Sequence, residues 1–354
     1  MSSITAVRTR IRSLMERNAG RPGNPDVVIL AIDGIPHDLA RAIWPHARTE
    51  RMRSVVPTTS SSGWLSSLSG VAPAEHGVLG VVFRIPEAGP QPIDIFSYRG
   101  ALSCPELGNI FSDAADLGYT PLALLGDLAA YDCAWRELLL CHSTQLPGRR
   151  LFTAPGGSGS RPARDDPLAL SRLTLECVTE CLAETAQRRP RLIWCFAEAD
   201  SYIHRHGYDD YIVEFLRGID EIGGTLAERA AVVVAHSDHG LTRTRHDTDI
   251  SRLLALIERD YSCPMGGAGR IRWLYSNVST HEALGDLLRQ ELPSTVNVCS
   301  ADELLPAGSH WRTRIGEIVL LARDEPFVTS RGYNFDHGGI SAAELDVPFS
   351  EWCS

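Results

Sequence analysis

Three nearly continuous apolar segments, each followed closely by a carboxylate, constrain the fold of this chain more than any other feature. They cover residues 26–32, 191–197 and 230–235, and the carboxylates that follow them are Asp33, Asp200 and Asp238. Apolar runs without polar alternation are typical of parallel strands that are buried on both faces. Residues 120–125 form a weaker fourth example. The pattern predicts an α/β fold, with a doubly wound, mostly parallel sheet flanked by helices.

The three carboxylates are expected to lie close together. Helices are predicted between the strands, at residues 105–117, 166–187 and 210–229. In open α/β sheets, ligands bind beyond the carboxyl ends of the strands. The carboxylates at the three strand ends therefore predict a site at that edge of the sheet.

The 354 residues are interpreted as one catalytic domain with additions. An N-terminal helical extension is predicted at 1–25, followed by the domain at 26–349. A segment at about 126–164 that is rich in Gly, Pro and Arg is predicted to be an inserted loop. Residues at about 245–330 are predicted to form a small inserted cap or subdomain.

Composition excludes several functions. The formal charge of −10 argues against a nucleic-acid footprint. The sequence contains no lysine, which excludes Schiff-base chemistry and a phosphate-binding loop that depends on lysine. The charged N-terminal extension indicates neither an export signal nor a membrane span. Nine cysteines without an export signal predict reduced thiols and a cytoplasmic location. The oligomeric state stays open.

Five short segments together carry a metal-binding pattern. Asp200 and His204 are four residues apart, so a helix would place both on one face. Further segments contain Asp33-Gly34, Ser237-Asp238-His239-Gly240, Asp336-His337-Gly338-Gly339 and the hydroxyl-rich Pro57-Thr58-Thr59-Ser60. Three aspartates, three histidines and a hydroxyl nucleophile are the groups that two adjacent divalent metals need for phosphoryl-type transfer.

The same segments resemble the alkaline phosphatase superfamily, and within it the type I phosphodiesterase and nucleotide pyrophosphatase branch. The resemblance covers roughly residues 26–349. Its most specific part runs from Pro57 to Gly77, where proline, hydroxyls, glycine, proline and His-Gly all fall at the family's spacing.

The resemblance implies a role for each matching residue. One metal would be held by Asp200, His204 and His337, and the other by Asp33, Asp238 and His239, with the nucleophile's oxygen as a further ligand. Ser60 stands at the nucleophile position, and Thr59 and Ser61 are the neighbouring alternatives. The nitrogen and oxygen ligands favour zinc and also suit manganese.

Two positions depart from the family pattern. Ser62 replaces a proline, and Val81 stands where many phosphodiesterases have an asparagine that donates to a nonbridging phosphate oxygen. Losing one such donor can cost about two to three orders of magnitude in rate. Arg84, Asn109 and residues 64–66 are the candidate replacements. Arg243 could bind an anionic substrate, although a solvated loop explains it equally well.

The function implied is a two-metal hydrolase of a small-molecule phosphate ester, acting through a covalent phosphoseryl intermediate. The ester could be a phosphodiester, a pyrophosphate or a phosphomonoester. Two alternatives stay open: a phosphotransferase or mutase that uses the same site, and a noncatalytic binding protein. A sulfatase is disfavoured because residues 60–64 lack the proline and arginine of the sulfatase motif.

Overall fold

The computed structural model describes residues 2–19, 26–146, 166–183, 189–228, 232–305, 308–323 and 325–353. In these ranges the chain forms sixteen strands: β1 (Ser2–Ser3), β2 (Val27–Ile32), β3 (Arg48–Arg53), β4 (Val82–Arg84), β5 (Pro92–Asp94), β6 (Thr120–Leu124), β7 (Thr144–Leu146), β8 (Arg191–Ala197), β9 (Val232–His236), β10 (Thr242–Arg243), β11 (Met265–Ala268), β12 (Ile271–Leu274), β13 (Val296–Ser300), β14 (Ile318–Ala322), β15 (Phe335–Asp336) and β16 (Asp346–Trp352).

Twelve α-helices are found in the same ranges: α1 (Ala6–Asn18), α2 (His37–Ile43), α3 (Ser60–Ser69), α4 (Pro73–His76), α5 (Ile110–Asp116), α6 (Ala134–Leu139), α7 (Ala169–Ala183), α8 (Asp200–His206), α9 (Asp210–Glu228), α10 (Thr248–Asp260), α11 (His281–Glu291) and α12 (Ala342–Leu345). None of the described helices is long and apolar enough to cross a lipid bilayer.

The main sheet has eight strands in the order β1-β3-β16-β9-β2-β8-β6-β7. Strands β9, β2, β8, β6 and β7 are mutually parallel, and β16 runs antiparallel to β9 and β3. The four predicted strands are all present in this sheet. The predicted α/β fold with a mostly parallel sheet is confirmed.

Helices cover both faces of the main sheet, because its central strands are apolar on both sides. In β2, Val27 and Ile29 face one hydrophobic core, whereas Val28 and Leu30 face the other. The first core also receives α1 and α3, and the second receives α7 and α9. This two-sided burial explains the continuous apolar runs in the sequence.

A second sheet has the strand order β13-β14-β12-β11-β4-β5. Four of these strands, with α10 and α11 packed on them, come from the predicted cap at about 245–330. Strands β4 and β5 come from residues outside that range, so the sheet is shared with the segment that follows α3.

The two predicted additions to the domain take part in its packing where they are described. Strand β1 pairs in parallel with β3, and Arg8 of α1 forms an ion pair with Asp113 at 2.8 Å. The segment predicted as a loop at about 126–164 contains α6 and the edge strand β7. Residues 147–164 of that segment lie outside the described ranges.

Candidate active site

Three neighbouring strands of the main sheet place the three predicted carboxylates side by side. Strand β2 lies between β9 and β8 and is parallel to both, so all three end at the same edge. Asp33 follows β2 directly, Asp238 follows β9, and Asp200 begins α8 after β8. The three side chains are mostly withdrawn from solvent, with exposures of 5%, 0% and 14% for Asp33, Asp238 and Asp200.

Two histidines turn the same ring nitrogen toward Asp200. Nδ1 of His204 lies 2.8 Å from the carbonyl oxygen of Phe335, and Nδ1 of His337 lies 2.8 Å from that of Thr58. These bonds direct each Nε2 toward the Asp200 carboxylate, at 3.0 Å for His204 and 3.8 Å for His337. A hydrogen bond from Nδ1–H to a backbone carbonyl commonly orients a metal-binding histidine. Asp200, His204 and His337 thus come together as one potential ligand set.

The second set consists of Asp33, Asp238 and His239. Nε2 of His239 lies 3.3 Å from a carboxylate oxygen of Asp238 and 3.6 Å from one of Asp33. One donor atom from each of the three residues lies within 4.8 Å of the other two. His239 and His337 stack with their ring centroids 4.0 Å apart, which brings the two sets next to each other.

Asp336 is a further carboxylate near the first set. With His204 and His337 it forms a group whose potential ligand atoms all lie within 4.8 Å of one another, as do those of Asp200, His239 and His337. The predicted set of Asp200, His204 and His337 is not among the groups of described residues that meet this spacing. However, Asp336 lies 3.6 Å from Nδ1 of His204, which is the nitrogen that faces away from Asp200. It also accepts hydrogen bonds from the hydroxyl of Thr329 and the amide of His337. The position of Asp336 therefore suits a residue that orients the His204 ring better than one that binds a metal directly.

Ser60 is the hydroxyl that faces the ligand sets. It begins α3, and its oxygen lies 3.1 Å from Nε2 of His239 and 3.4 Å from Oδ1 of Asp33. The neighbouring hydroxyls point elsewhere: Ser61 donates to the carbonyl of Gly80, and Thr59 contacts other hydroxyls of the helix. Geometry therefore favours Ser60 over both neighbours as the nucleophile.

A glycine and a tryptophan allow α3 to approach this edge. A Cβ on Gly63 would lie 2.8 Å from the Cβ of Asp238, so only glycine fits between the helix and that ligand. One position later, the indole of Trp64 donates to Asp33 at 3.2 Å. The α3 sequence thus sets both the distance between Ser60 and the ligands and the orientation of Asp33.

The loop that carries His337 is fixed from two sides. The Thr58 hydroxyl donates to the carbonyl of Gly339 and accepts from the amide of Gly338. The buried carboxylate of Glu344 accepts from the amides of Gly339 and Ser341, at 2.7 and 3.0 Å. Both residues were missed in the sequence, because their roles depend on contacts between distant segments.

The charges of the site fit bound cations. Burial, followed by the neighbouring carboxylates, raises the pKa of Asp33, and burial raises that of Asp238 to about 8. Burial opposes ionisation of Asp200 as well, but His204 and His337 lower its pKa. Both carboxylate oxygens of Asp238 and Oδ1 of Asp200 are buried without a hydrogen-bond partner. Buried polar atoms of this kind are costly unless something binds them, so the residues present fit divalent metals.

A cavity of about 130 Å³ opens beside Ser60. Apolar and aromatic side chains form about half of its wall, and three carboxylates, two serines and His337 form the rest. Its lining consists of Asp33, Ser60, Trp64, Val81, Phe96, Leu128, Tyr131, Trp135, Phe196, Glu198, Asp200, Ser201 and His337.

One of the four predicted substrate-binding residues, Val81, lines this cavity. The guanidinium of Arg84 lies over the ring of Tyr275 at 3.9 Å from its centroid. Asn109 caps α5 and donates to the carbonyl of Cys141. Arg243 lines a separate groove. The latter three therefore do not meet Ser60 in this arrangement.

Sequence reasoning missed most of the cavity wall. Glu198 follows β8 two residues before Asp200, so the strand-end pattern was a usable signal for it. Burial, followed by the charge of Asp200, raises its pKa to about 7. Phe96, Tyr131 and Trp135 belong to segments without a recognisable motif, and no sequence signal identified them.

Comparisons with known proteins bear on the fold. No family model and no curated protein matches the sequence. Phosphonoacetate hydrolase from Sinorhizobium meliloti has been solved with phosphonoacetate and with phosphonoformate. Its phosphonoformate complex aligns with a TM-score of 0.66 at 20% identity, over 93% of this chain and 90% of that chain. Murine ectonucleotide pyrophosphatase/phosphodiesterase 5 aligns with a TM-score of 0.63 at 15% identity, over 92% and 87% of the two chains.

The human ectonucleotide pyrophosphatase/phosphodiesterase 5 aligns with a TM-score of 0.61 at 13% identity, over 92% of this chain and 87% of that chain. An inactive form of the murine protein was solved in complex with AMP. The chain therefore has the fold of these hydrolases, as its motifs predicted. At such identities the likeness establishes the fold, and the reaction has to be argued from the residues of the site.

Proposed function

We propose that this protein is a two-metal hydrolase of the alkaline phosphatase superfamily that cleaves a small-molecule phosphate ester. One observation carries the proposal: a serine hydroxyl at a helix start lies within 3.4 Å of one of two adjoining Asp/His ligand sets. Asp200, His204 and His337 would hold one metal, and Asp33, Asp238 and His239 the other. Zinc is the preferred ion and manganese the alternative, because all donors are nitrogen or oxygen.

Ser60 is the proposed nucleophile. Its oxygen forms a bond to phosphorus while the bond from phosphorus to the leaving oxygen breaks, which gives a phosphoseryl intermediate. Water then attacks the phosphorus, releases the phosphate product and restores the serine. Bound metals would supply Lewis-acid stabilisation of negative charge on the attacking and leaving oxygens. Trp64 and the helix start orient Asp33 and Ser60 for this displacement.

The solved structures with this fold support a small phosphorus-containing substrate. The murine protein was solved with AMP and the bacterial enzyme with phosphonoacetate. Cleavage of a carbon–phosphorus bond is therefore the second candidate reaction. The phosphonates in the substrate screen below test this second reaction.

A substrate screen tests the proposal. Protein loaded with zinc or manganese is assayed on aryl phosphomonoesters, aryl diesters, phosphonates and sulfates, with Ser60→Ala as the control. We expect turnover of at least one phosphate ester, its loss in Ser60→Ala, and a phosphoserine at residue 60 after acid quenching. Phosphate return from the enzyme to a second alcohol would identify a transferase. Inactivity on every ester together with an absence of bound metal would refute the proposal.

A further inference from the structure

The turn between β11 and β12 of the second sheet reaches the loop that carries His337. Gly269 and Arg270 form this turn. The backbone amide of Arg270 donates to the carbonyl oxygen of His337 at 2.7 Å. A Cβ on Gly269 would overlap the same oxygen, so only glycine lets the turn come this close. The second sheet therefore touches the segment that contributes a predicted metal ligand.

The side chain of Arg270 contacts the same loop through a carboxylate. Its Nε lies 3.3 Å from Oε1 of Glu344, and the two side chains are exposed by only 1% and 0%. Glu344 in turn accepts from the amides of Gly339 and Ser341, which follow His337 by two and four positions. Each amide has its own oxygen of the carboxylate. Arg270 thus lies next to the group that fixes the loop.

Arg272 holds an earlier part of the same segment. Its guanidinium donates to the carbonyl of Val328 and to that of Gly269, both at 3.0 Å. Val328 lies on the stretch of chain that leads from β14 to His337. Arg270 and Arg272 both belong to the hairpin of β11 and β12. The hairpin therefore contacts the metal-binding segment at two separate points.

Stability alone is a weak explanation for the buried pair of Arg270 and Glu344. Two charges lose their hydration on burial, and an apolar pair of similar volume is often at least as stable. A carboxylate, however, offers two acceptor oxygens to the loop, whereas an apolar side chain offers none. Arg270 supplies the opposite charge that makes this carboxylate tolerable in the interior. The pair therefore points to a requirement for the position of the loop.

We infer that Arg270 is a positioning residue for metal binding, which acts through Glu344 to keep His337 where the first ligand set needs it. That set consists of Asp200, His204 and His337. The inference rests on the proposed function, because it requires that this set holds a metal. Loss of a partner that orients a ligand typically weakens metal affinity by about 10- to 100-fold.

Zinc affinity measured one ligand set at a time tests the inference. Asp238→Asn protein keeps the first set, and His204→Ala protein keeps the second. Arg270→Met is added to each, and zinc is titrated in competition with a chromophoric chelator. We expect zinc binding to weaken by about tenfold or more in the Asp238→Asn background, and to change by less than about twofold in the His204→Ala background. No substrate is needed, so the result does not depend on the reaction.

A second ion pair, at the other end of β8, controls for stability. Arg191 begins β8, whereas Asp200 follows the end of that strand. Nη2 of Arg191 lies 2.6 Å from Oδ2 of Asp26, and both side chains are largely buried. Arg191→Met should lower the denaturant midpoint, as Arg270→Met does, because each leaves a buried carboxylate unpaired. Zinc affinity in both backgrounds should not change in Arg191→Met.

A double variant separates positioning from stability. Arg270→Met combined with Glu344→Gln removes both charges, so the denaturant midpoint should rise above that of Arg270→Met alone. Glutamine has one acceptor oxygen in place of two, so the amides of Gly339 and Ser341 cannot both keep their present partners. Zinc affinity at the first set should therefore stay low although the stability recovers.

The titrations separate failure of the inference from failure of the proposed function. If Arg270→Met leaves zinc affinity at the first set unchanged, or weakens both sets equally, the inference fails while the two-metal function stands. If zinc affinity recovers together with stability in the double variant, the ion pair serves stability only and the inference also fails. If protein with Arg270 in place binds neither zinc nor manganese, the proposed function fails and the inference fails with it.

Discussion

The hydroxyl oxygen of Ser60 lies 3.1 Å from Nε2 of His239, although 179 residues separate them in the sequence. The contact joins the start of α3 to the turn after β9. It depends on the main sheet, which brings the carboxyl ends of β9 and β2 together. The nucleophile and its adjoining ligands are therefore supplied by separate elements that the central strands hold in register.

Replacing this hydroxyl should stop turnover without dismantling the site. Ser60→Ala is expected to lower kcat by about 10³-fold or more, because no other hydroxyl is in place to attack. Metal content should be retained, since six other ligands remain. Ser61→Ala is the matched control: it loses a buried hydrogen bond to Gly80, which costs about 1 kcal/mol in the free energy of unfolding, but keeps turnover. Near-normal turnover in Ser60→Ala would show that water attacks directly or that the nucleophile is another residue.

Metal content should depend on each ligand set separately. The purified protein is expected to carry about two divalent ions per chain, and Asp238→Asn and His204→Ala should each lose at least one. Because burial raises the pKa of Asp238 to about 8, the metal-free Asp238→Asn protein should unfold at an equal or higher temperature than the metal-free parent. Elemental analysis and thermal unfolding check both points. His310→Ala, which removes an exposed histidine, is the control and should change neither the metal content nor the unfolding temperature. Full metal content in both ligand variants would contradict the assignment of these residues as metal ligands.

The sequence was informative where a function depends on a strand end. The segments before Asp33, Asp200 and Asp238 are buried on both faces, so their polarity pattern identifies both the strand and the point where it ends. Adjacent ends then bring the candidate ligands together. The fold class follows from the same pattern.

The sequence was uninformative about the cavity wall and misleading about one donor. Phe96, Tyr131 and Trp135 meet only because separate segments pack together beside α3, and aromatic residues in loops carry no positional signal. Asn109 was expected near the phosphate but accepts from the amides of Phe111 and Ser112 as the cap of α5. The helix predicted at 105–117 placed Asn109 inside it, whereas α5 begins at Ile110 and leaves Asn109 as its cap.

The approach of α3 to Asp238 should tolerate no side chain at Gly63. Gly63→Ala places a Cβ 2.8 Å from that of Asp238, so the helix start must shift and carry Ser60 with it. We expect turnover to fall by about tenfold or more and the free energy of unfolding to fall by about 1–3 kcal/mol. Gly218→Ala is the matched control, since nothing lies within 4 Å of its added Cβ in α9. That variant should gain about 0.5–1 kcal/mol of stability and keep its activity. Equal behaviour of the two variants would refute the steric argument.

Stability should vary with pH through Asp127. Burial raises the pKa of this carboxyl to about 6, from an ordinary value of 3.8. The folded state therefore holds a proton that the unfolded chain releases, and stability falls as pH rises from about 4 through about 6. Asp127→Asn should remove this loss, with an advantage of about 3 kcal/mol above pH 7 and little advantage at pH 4. Denaturant unfolding at both pH values measures it, with the exposed Asp132→Asn as the control. An advantage that does not change with pH would contradict the explanation.

Val81 should limit activity on generic diesters. Its side chain lines the cavity with Ser60, and the family resemblance of the motifs implies an amide donor to phosphate at this position. Val81→Asn is expected to raise kcat/KM for bis(para-nitrophenyl) phosphate by about tenfold, because it restores a donor to a nonbridging oxygen. Val81→Leu, which changes shape without adding a donor, should give no gain. If the unmodified protein already hydrolyses this diester at about 10⁶ M⁻¹s⁻¹ or faster, the apolar side chain is no handicap. A donor elsewhere in the site, such as a backbone amide at the start of α3, would then have to replace the amide.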